Sequence, residues 1–182
     1  VHLADYLFSN LNEIKNWINK KGDYFNWNEL IKTALKMEGK KPTKKAILIR
    51  QEEVRSKSRL FRCDASLDSP LGTSEHYPLV ISTFCADSAT SSKKIWRSFQ
   101  RNILNLVELN GYILISALRK CTYYKNGESI FPCANISEGD FQKLFESMNR
   151  HFSDIKIEVC EVPECAEEGF TSLIYVRTKR TR

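Results

Sequence analysis

The sequence predicts an α/β fold whose sheet is mostly parallel and ends in an antiparallel strand. Two near-continuous apolar runs, LVISTFC (79–85) and YILISAL (112–118), flank one amphipathic helix. Such runs are typical of parallel strands buried on both faces. Two further strands follow one another near the carboxyl end, at 155–162 and 170–178, and a loop at 163–169 joins them. In sheets of this kind, ligands bind beyond the carboxyl ends of the strands.

Composition places the chain among ordinary globular proteins. Its 182 residues are enough for one domain with its own core, so we expect a single domain over residues 1–182. Hydrophobic residues make up 42% and charged residues 27%, which is an average balance. Because no apolar run approaches the roughly 18–20 residues that cross a bilayer, the sequence predicts no membrane partner.

The six cysteines and three histidines give little support for a metal site, since no CxxC pair occurs and the histidines are scattered. Cys63 and Cys85 fall in or beside predicted buried strands, where we expect them to pack as small hydrophobes. The first residues, VHLADYLF, lack the basic and apolar regions of a signal peptide. These observations predict reduced thiols and a cytoplasmic location.

The net charge of +6 comes from three separated basic segments, at 39–45, 54–62 and 177–182. None is interleaved with aromatic residues as a base-stacking surface would be. We interpret these segments as solvated surface, which makes nucleic acid an unlikely partner.

The amino-terminal third is predicted to hold a strand, three helices and a second strand. The strand covers 2–6, and a helix over 10–20 carries its apolar residues on one face. A second helix covers 25–37 and is stopped by the following Glu-Gly pair. A third helix covers 42–56, and a strand covers 59–63.

The remainder is predicted to alternate strands with helices around one hairpin. The helix after strand 79–85 starts near residue 91 and ends at Asn110-Gly111, and its buried stripe comprises Ile95, Phe99, Ile103, Leu106 and Val107. The segment 121–133 is predicted to be a hairpin with Asn126-Gly127 at its tip. A helix with a capping-box sequence begins at 137.

Three acids occur where predicted strands end: Asp5, Asp64 and Asp87. At the carboxyl edge of a doubly wound sheet, an acid after the second strand can accept hydrogen bonds from ribose hydroxyls. An acid after the next strand can accept one from an exocyclic adenine amine. Each acid is also a residue type that forms turns and caps helices. Three of them at successive strand ends favour a ligand-binding edge.

Other polar and aromatic residues have two interpretations each. Asn10 is either a helix cap or a ligand contact. Tyr123 and Tyr124 follow a buried strand, where they either line a pocket that receives a cation or pack across the hairpin. Glu167 lies in the last loop, which is expected at the surface but can fold over the same edge. The chain has no phosphate-binding glycine motif and no His–Ser or His–Cys pair at a catalytic spacing.

Seven segments resemble the small-molecule amine N-methyltransferases, the family of the nicotinamide, phenylethanolamine and indolethylamine N-methyltransferases. They occur in the family's order and with nearly its spacing, and they are ADYLFSNLNEIKNWI, FNW, RCDASLDSPLG, LVISTFCADSAT, NGYILISAL, YYKNGE and EEGFTSLIYV. The resemblance implies a Rossmann-like methyltransferase fold with S-adenosylmethionine as methyl donor. It also implies transfer to the nitrogen of a small amine or pyridine-like acceptor.

The resemblance implies a role for each matching residue on the cofactor side. Asp5 resembles the acid that holds the ribose hydroxyls, and Asn10 the neighbouring cofactor contact. Asp64 and Ala65 resemble the pair that meets the adenine ring. Thr83 matches the residue beside the methionine part of the cofactor.

On the acceptor side, the resemblance implies catalytic roles for Asp87 and Tyr124. Tyr123, Tyr124 and Glu167 are expected to contact the acceptor. Family members that bind protonated amines can place an acid just before the tyrosine, but this chain has Lys120-Cys121-Thr122 there. A catecholamine-like acceptor is therefore not indicated.

The family's first strand and glycine-rich turn would precede Val1. In this fold that strand lies beside the second and fourth strands, and without it both would expose unpaired edges. We therefore expect an amino-terminal segment or a second chain to complete the sheet. A non-catalytic subunit that completes a partner stays open as an alternative. Two further alternatives stay open: a module that binds adenosine-containing ligands, and an RNA or DNA methyltransferase component. The second is less favoured, because CADS (85–88) stands where enzymes that methylate base amines commonly carry an Asn-Pro-Pro-Tyr-like motif.

Overall fold

The computed structural model describes residues 1–148 and 151–182. These residues group into two compact units, Val1–Asp64 and Ala65–Arg182. Each unit combines helices with strands, which confirms the predicted α/β class. The assignment of the whole chain to a single domain stays a prediction.

The first unit holds the five predicted elements, and their ends differ from the prediction by a few residues. They are β1 (His2–Asp5), α1 (Phe8–Asn19), α2 (Asn28–Met37), α3 (Lys44–Lys57) and β2 (Arg59–Arg62). β1 and β2 run parallel, with His2 opposite Arg59 and Asp5 opposite Arg62. Among the described residues, β1 pairs with β2 alone, so its other edge is free.

Each helix of the first unit contributes one apolar side chain to a small core. Trp17, Leu35 and Ile47 are buried. The guanidinium of Arg55 lies over the Trp17 ring at 4.5 Å and donates a 2.9 Å hydrogen bond to the Trp17 carbonyl. This buried arginine is therefore satisfied by a cation–π contact and a backbone acceptor.

The second unit contains a four-stranded sheet, a separate hairpin and three helices. Its elements are β3 (Tyr77–Thr83), α4 (Lys93–Leu104), β4 (Val107–Leu118), β5 (Tyr123–Asn126), β6 (Ser129–Pro132), α5 (Glu138–Glu146), β7 (Phe152–Glu161), a 3₁₀ helix (Pro163–Glu168) and β8 (Ser172–Arg180). The sheet order is β3-β4-β8-β7, and β5 pairs with β6. β3 and β4 are parallel, whereas β8 runs antiparallel to both β4 and β7.

The predicted end of α4 at Asn110-Gly111 is wrong, because α4 ends at Leu104 and β4 already begins at Val107. Val107 pairs with Tyr77, and the parallel register shifts between Tyr77 and Leu79. Asn110 takes a φ of 67° at this irregularity. A Cβ at Gly111 would lie 3.0 Å from the Tyr77 carbonyl oxygen. The Asn-Gly pair thus forms a bulge inside a long strand and does not stop a helix.

The core of the second unit is built around α4, α5 and the buried face of the sheet. The predicted stripe of α4 is wrong at Ile95, which is 44% exposed, whereas its neighbour Trp96 is fully buried. Trp96 meets Phe141 edge to face, with ring centroids 5.1 Å apart. Phe141, Leu144 and Phe145 face inward as α5 was predicted to place them, and a capping box at Ser137 starts that helix.

β3 is the edge strand of its sheet among the described residues, since it pairs with β4 alone. Leu79 is 51% exposed and Ile81 is 64% exposed, so the prediction that this strand is buried on both faces is wrong. An exposed apolar edge is what we expected of a strand that lacks one neighbour. No helix within residues 1–148 and 151–182 has the length and apolar character needed to cross a membrane.

Candidate functional site

Asp5 is the last residue of β1, and its carboxylate is oriented by the start of α1. It accepts hydrogen bonds from the Leu7 backbone N–H at 2.8 Å and from the Asn10 side-chain amide at 2.9 Å. Asn10 lies inside α1, whose N-cap is Leu7, so Asn10 positions Asp5 and does not cap the helix. A carboxylate has about four acceptor positions, which leaves about two for hydroxyl groups of a ligand.

Asp64 and Ala65 follow β2 at the end of the first unit and the start of the second. Asp64 is half-buried and Ala65 is buried. The Ala65 carbonyl accepts a 2.9 Å hydrogen bond from the side-chain amide of Asn102, a buried residue of α4. This contact fixes the peptide that the resemblance assigns to the adenine ring. The sequence could have singled out Asn102, because it is an amide among the apolar residues of α4.

Thr83 is the final residue of β3, where it pairs with Ser116 of β4 and is exposed. The chain turns immediately after it, since Phe84 takes a φ of 49° and its N–H donates to the Ser116 carbonyl at 2.8 Å. Thr83 therefore stands at the carboxyl end of the strand, as predicted. Such strand ends are where ligands bind in parallel sheets.

Asp87 is a buried carboxyl group that is 3% exposed. It accepts hydrogen bonds from the Leu118 backbone N–H at 2.8 Å and from the Ser88 hydroxyl at 3.4 Å. Burial raises the pKa of Asp87 to about 6, although the hydrogen bond from Leu118 opposes the rise. The group therefore changes charge close to neutral pH, which suits a residue that takes up protons.

Tyr124 lies on the hairpin and is electrostatically coupled to Asp87. Burial raises the pKa of its phenol, and the neighbouring Cys133 and Asp87 raise it further. Its ring stacks on Phe131 across the hairpin with centroids 5.2 Å apart. It also packs against a small buried cluster that contains Leu118. Tyr124 therefore packs across the hairpin, as one of its two interpretations predicted, and its role in lining an acceptor pocket stays a prediction.

Tyr123 is 42% exposed and packs against the 3₁₀ segment. Gly169 at the end of that segment has a φ of 105°, and a Cβ there would lie 2.5 Å from the Tyr123 carbonyl oxygen. Only glycine permits this close approach. Glu167 is exposed within the same segment. The last loop thus packs on the hairpin, and its folding over the ligand-binding edge of the sheet stays a prediction.

The structure brings the predicted residues together in two sets. Asp5 and Asn10 are hydrogen-bonded in the first unit, and Asp87 and Tyr124 interact in the second. A groove of about 850 Å³ lies in the first unit, and it contains none of the predicted site residues. Its lining includes Trp17, Tyr24, Phe25, Trp27, Lys44 and Arg55.

The sequence analysis did not predict that Cys121 and Cys133 are buried together in the second unit. Cys121 and Cys133 are 1% and 2% exposed, whereas Cys63 and Cys85, which were predicted to be buried, are only half-buried. The signal in the sequence was the hairpin itself. A tip at Asn126-Gly127 places 121 and 133 close together on its two arms.

Comparison with known proteins decides the family. The profile of the NNMT/PNMT/TEMT family matches residues 1–171. The chain belongs to this family. It is 29% identical to the nicotinamide N-methyltransferase of Homo sapiens over 135 residues, which are 71% of this chain and 49% of that protein. It is 23% identical to the indolethylamine N-methyltransferase of Oryctolagus cuniculus over 146 residues, 79% of this chain and 54% of the relative.

Solved structures confirm the Rossmann-like methyltransferase fold. A SAM-dependent methyltransferase from Methanosarcina mazei matches with a TM-score of 0.52 and 11% identity, covering 76% of this chain and 79% of that one. Another from Clostridium acetobutylicum matches with a TM-score of 0.51 and 12% identity, covering 100% and 84%. The chain spans about half the length of the curated relatives it matches.

Proposed function

We propose that the protein is an S-adenosylmethionine-dependent N-methyltransferase that acts on a small-molecule amine or pyridine-like nitrogen. The observation that carries this proposal is membership of the NNMT/PNMT/TEMT family over residues 1–171. The named relatives are N-methyltransferases of nicotinamide, indolethylamine and phenylethanolamine. The buried acid and the tyrosine of the second unit suit the acceptor side of such a reaction.

On the cofactor side, Asp5 and Asn10 would bind the ribose, Asp64 and Ala65 the adenine ring, and Thr83 the methionine part. The residues fit these roles. The Asp5 carboxylate is already oriented and keeps free acceptor capacity, and the Ala65 peptide is fixed by Asn102. When bound, the cofactor supplies an activated methyl group, so the protein mainly has to align the acceptor. Such positioning can account for roughly 7–11 kcal/mol of barrier lowering.

On the acceptor side, Asp87 would take the proton that an amine acceptor loses on methylation, directly or through water; a pyridine-like nitrogen has no such proton, and there Asp87 would only help to position the acceptor. With a pKa of about 6, Asp87 is mostly ionised at neutral pH. Because this pKa lies close to neutral pH, the group can both take up and release a proton. Tyr124 would orient the acceptor, and Tyr123 and Glu167 would add contacts. The 3₁₀ segment packed on the hairpin would shield this side from water.

The same proposal includes a further strand. Among the described residues, β1 and β3 each pair with one strand only, and β3 exposes Leu79 and Ile81. Unpaired backbone groups on such an edge accept an additional strand readily. An amino-terminal segment or a second chain would supply it. A cytoplasmic location stays a prediction from the sequence.

A methyl-transfer assay on the full-length protein tests this function. S-adenosylmethionine is supplied with nicotinamide, tryptamine or phenylethanolamine, and mass spectrometry detects the N-methylated product. We expect Asp87→Asn to lower kcat by roughly 100-fold or more, and the exposed acid variant Asp154→Asn to leave it unchanged. Cofactor binding without transfer to any acceptor would favour the non-catalytic subunit, and transfer to RNA or DNA alone would favour the nucleic-acid enzyme.

A further inference from the structure

The hairpin beside Asp87 carries two buried thiols that face each other. Cys121 precedes β5 and Cys133 follows β6, and both belong to one small apolar cluster with Leu118 and Leu173. The two thiols are close enough for each to shift the pKa of the other. They lie at the base of the hairpin, so a bond between the two sulfurs would close a loop around β5 and β6.

The backbone holds the two cysteines in place. Beyond the β5–β6 ladder, the Cys133 N–H donates to the Thr122 carbonyl at 2.9 Å, and the Asn135 N–H donates to the Cys121 carbonyl at 2.9 Å. The neighbouring Ala134 N–H donates to the Asp87 carbonyl at 3.0 Å. A disulfide requires Cα atoms within roughly 7 Å of each other. Cys133 is hydrogen-bonded to Thr122, the neighbour of Cys121, so the backbone brings the two cysteines near each other.

The two thiols also differ in acidity, as a nucleophile and its partner do. The hydrogen bond from Cys133 lowers the pKa of Cys121, with a smaller contribution from the Tyr123 backbone. The same hydrogen bond, together with burial, raises the pKa of Cys133. A thiolate is the reactive form of cysteine, and the lowered pKa favours it at Cys121.

We propose that Cys121 and Cys133 form a reversible disulfide when the protein meets an oxidant of the hydroperoxide class. The Cys121 thiol first gives its proton to solvent. Its thiolate then attacks the terminal peroxide oxygen and becomes a sulfenic acid, while the O–O bond breaks and the departing hydroxide or alkoxide takes up a proton from solvent. The Cys133 sulfur then attacks the Cys121 sulfur and displaces hydroxide, which takes the remaining thiol proton and leaves as water. Two thiols are oxidised to one disulfide, and one peroxide is reduced.

The peroxide reaches the thiols when the hairpin opens, because both thiols are almost fully buried in the closed form. The β5–β6 ladder is a two-stranded sheet, and every residue of β6 is exposed. Such a hairpin is only marginally stable by itself, so it opens at low cost in free energy. Oxidation removes the Cys121 thiol hydrogen bonds to the Tyr123 and Gly169 carbonyls, and it links the two arms covalently instead.

Peptide mapping of the full-length protein tests the disulfide directly. The native protein is treated with hydrogen peroxide, its free thiols are alkylated, and trypsin cleaves it without reduction. Cleavage after Lys120, Lys125 and Lys143 places the two cysteines on separate peptides, 121–125 and 126–143. We expect these peptides to appear joined, with two hydrogen atoms fewer than their sum, and to separate again with dithiothreitol.

Single-residue variants provide the controls. Cys121→Ser and Cys133→Ser should each abolish the joined peptide, whereas Cys160→Ser, which alters an exposed thiol, should leave it unchanged. Hydrogen exchange of the hairpin amides should slow on oxidation of the wild type only. The proposal is wrong if both cysteines of the native wild-type protein stay alkylatable after peroxide has oxidised Cys160. It is equally wrong if the joined peptide forms only in denaturant. None of these measurements depends on methyl transfer.

Discussion

The two units of this protein stabilise their predicted site residues by different means. In the second unit, which has a large apolar core that includes Trp96 and Phe141, Asp87 is buried and accepts a hydrogen bond from the Leu118 backbone. In the first unit, Asp5 lies near the surface and is held by two local hydrogen bonds. That unit buries few apolar side chains, and many of its ion pairs join exposed residues such as Lys20 and Glu52.

This difference indicates how the environment of each candidate residue is set within its own unit. Burial gives Asp87 a shifted pKa, because a low-polarity environment penalises its charged form. Asp5 remains accessible, so its carboxylate is available to a hydroxyl-bearing ligand. The second unit therefore shifts the pKa of its candidate acid, whereas the first unit leaves its candidate acid accessible.

Removing a core ring from the second unit should have the largest effect on stability. Phe141→Ala eliminates a fully buried ring that contacts Trp96 and Phe145, so it should cost about 3–5 kcal/mol. Urea denaturation followed by circular dichroism measures this loss. Met37→Ala in the first unit removes a side chain that is 84% exposed and should change the free energy of unfolding by less than about 0.5 kcal/mol. Equal losses in both variants would contradict the comparison.

Substitution of Asp87 should have an intermediate effect. Asp87→Ala leaves the buried Leu118 N–H without its acceptor and should cost about 1–3 kcal/mol. Asp87→Asn keeps an acceptor oxygen and should cost less. Both variants can be compared by denaturation at pH 7.

The raised pKa of Asp87 also predicts how the free energy of unfolding depends on pH. The folded pKa of about 6 lies above the ordinary value of 3.8, so the folded state binds more protons between those values. This group therefore lowers the stability progressively as pH rises from about 4 to about 6, and no further above that. Asp87→Asn should remove this contribution in denaturation curves measured across the interval. An unchanged slope in the variant would show that Asp87 is ionised with an ordinary pKa.

The smallest effect should come from an exposed ion pair of the first unit. Glu38 accepts hydrogen bonds from Arg50 and Lys40, and these contacts lower its pKa to about 2. Its stabilising contribution is present above pH 4.5 and is lost as pH falls toward 2. Arg50→Gln should raise this pKa in an NMR titration and barely move the urea midpoint at pH 7. A large shift of the midpoint would mean that surface pairs hold the first unit together.

The sequence predicted most helices and strands, because apolar periodicity records which face of an element is buried. It failed where local signals were ambiguous. Asn110-Gly111 is typical of a helix end but forms a bulge in β4, since the pairing of Val107 with Tyr77 extends that strand. The acids were found from strand ends, whereas the contact between Asn102 and the Ala65 carbonyl depends on tertiary packing. Local patterns do not encode such a contact.

Calorimetric titration of the full-length protein with S-adenosylmethionine tests the central claim most directly. The account predicts that the wild type binds the cofactor and that Asp5→Ala raises the Kd by roughly 100-fold. The reason is the loss of charge-assisted hydrogen bonds to the ribose hydroxyl groups. Asp23→Ala removes another exposed acid of the first unit and should bind like wild type. Thermal melts of each variant establish that it is folded. A folded Asp5→Ala protein with a wild-type Kd would contradict the account.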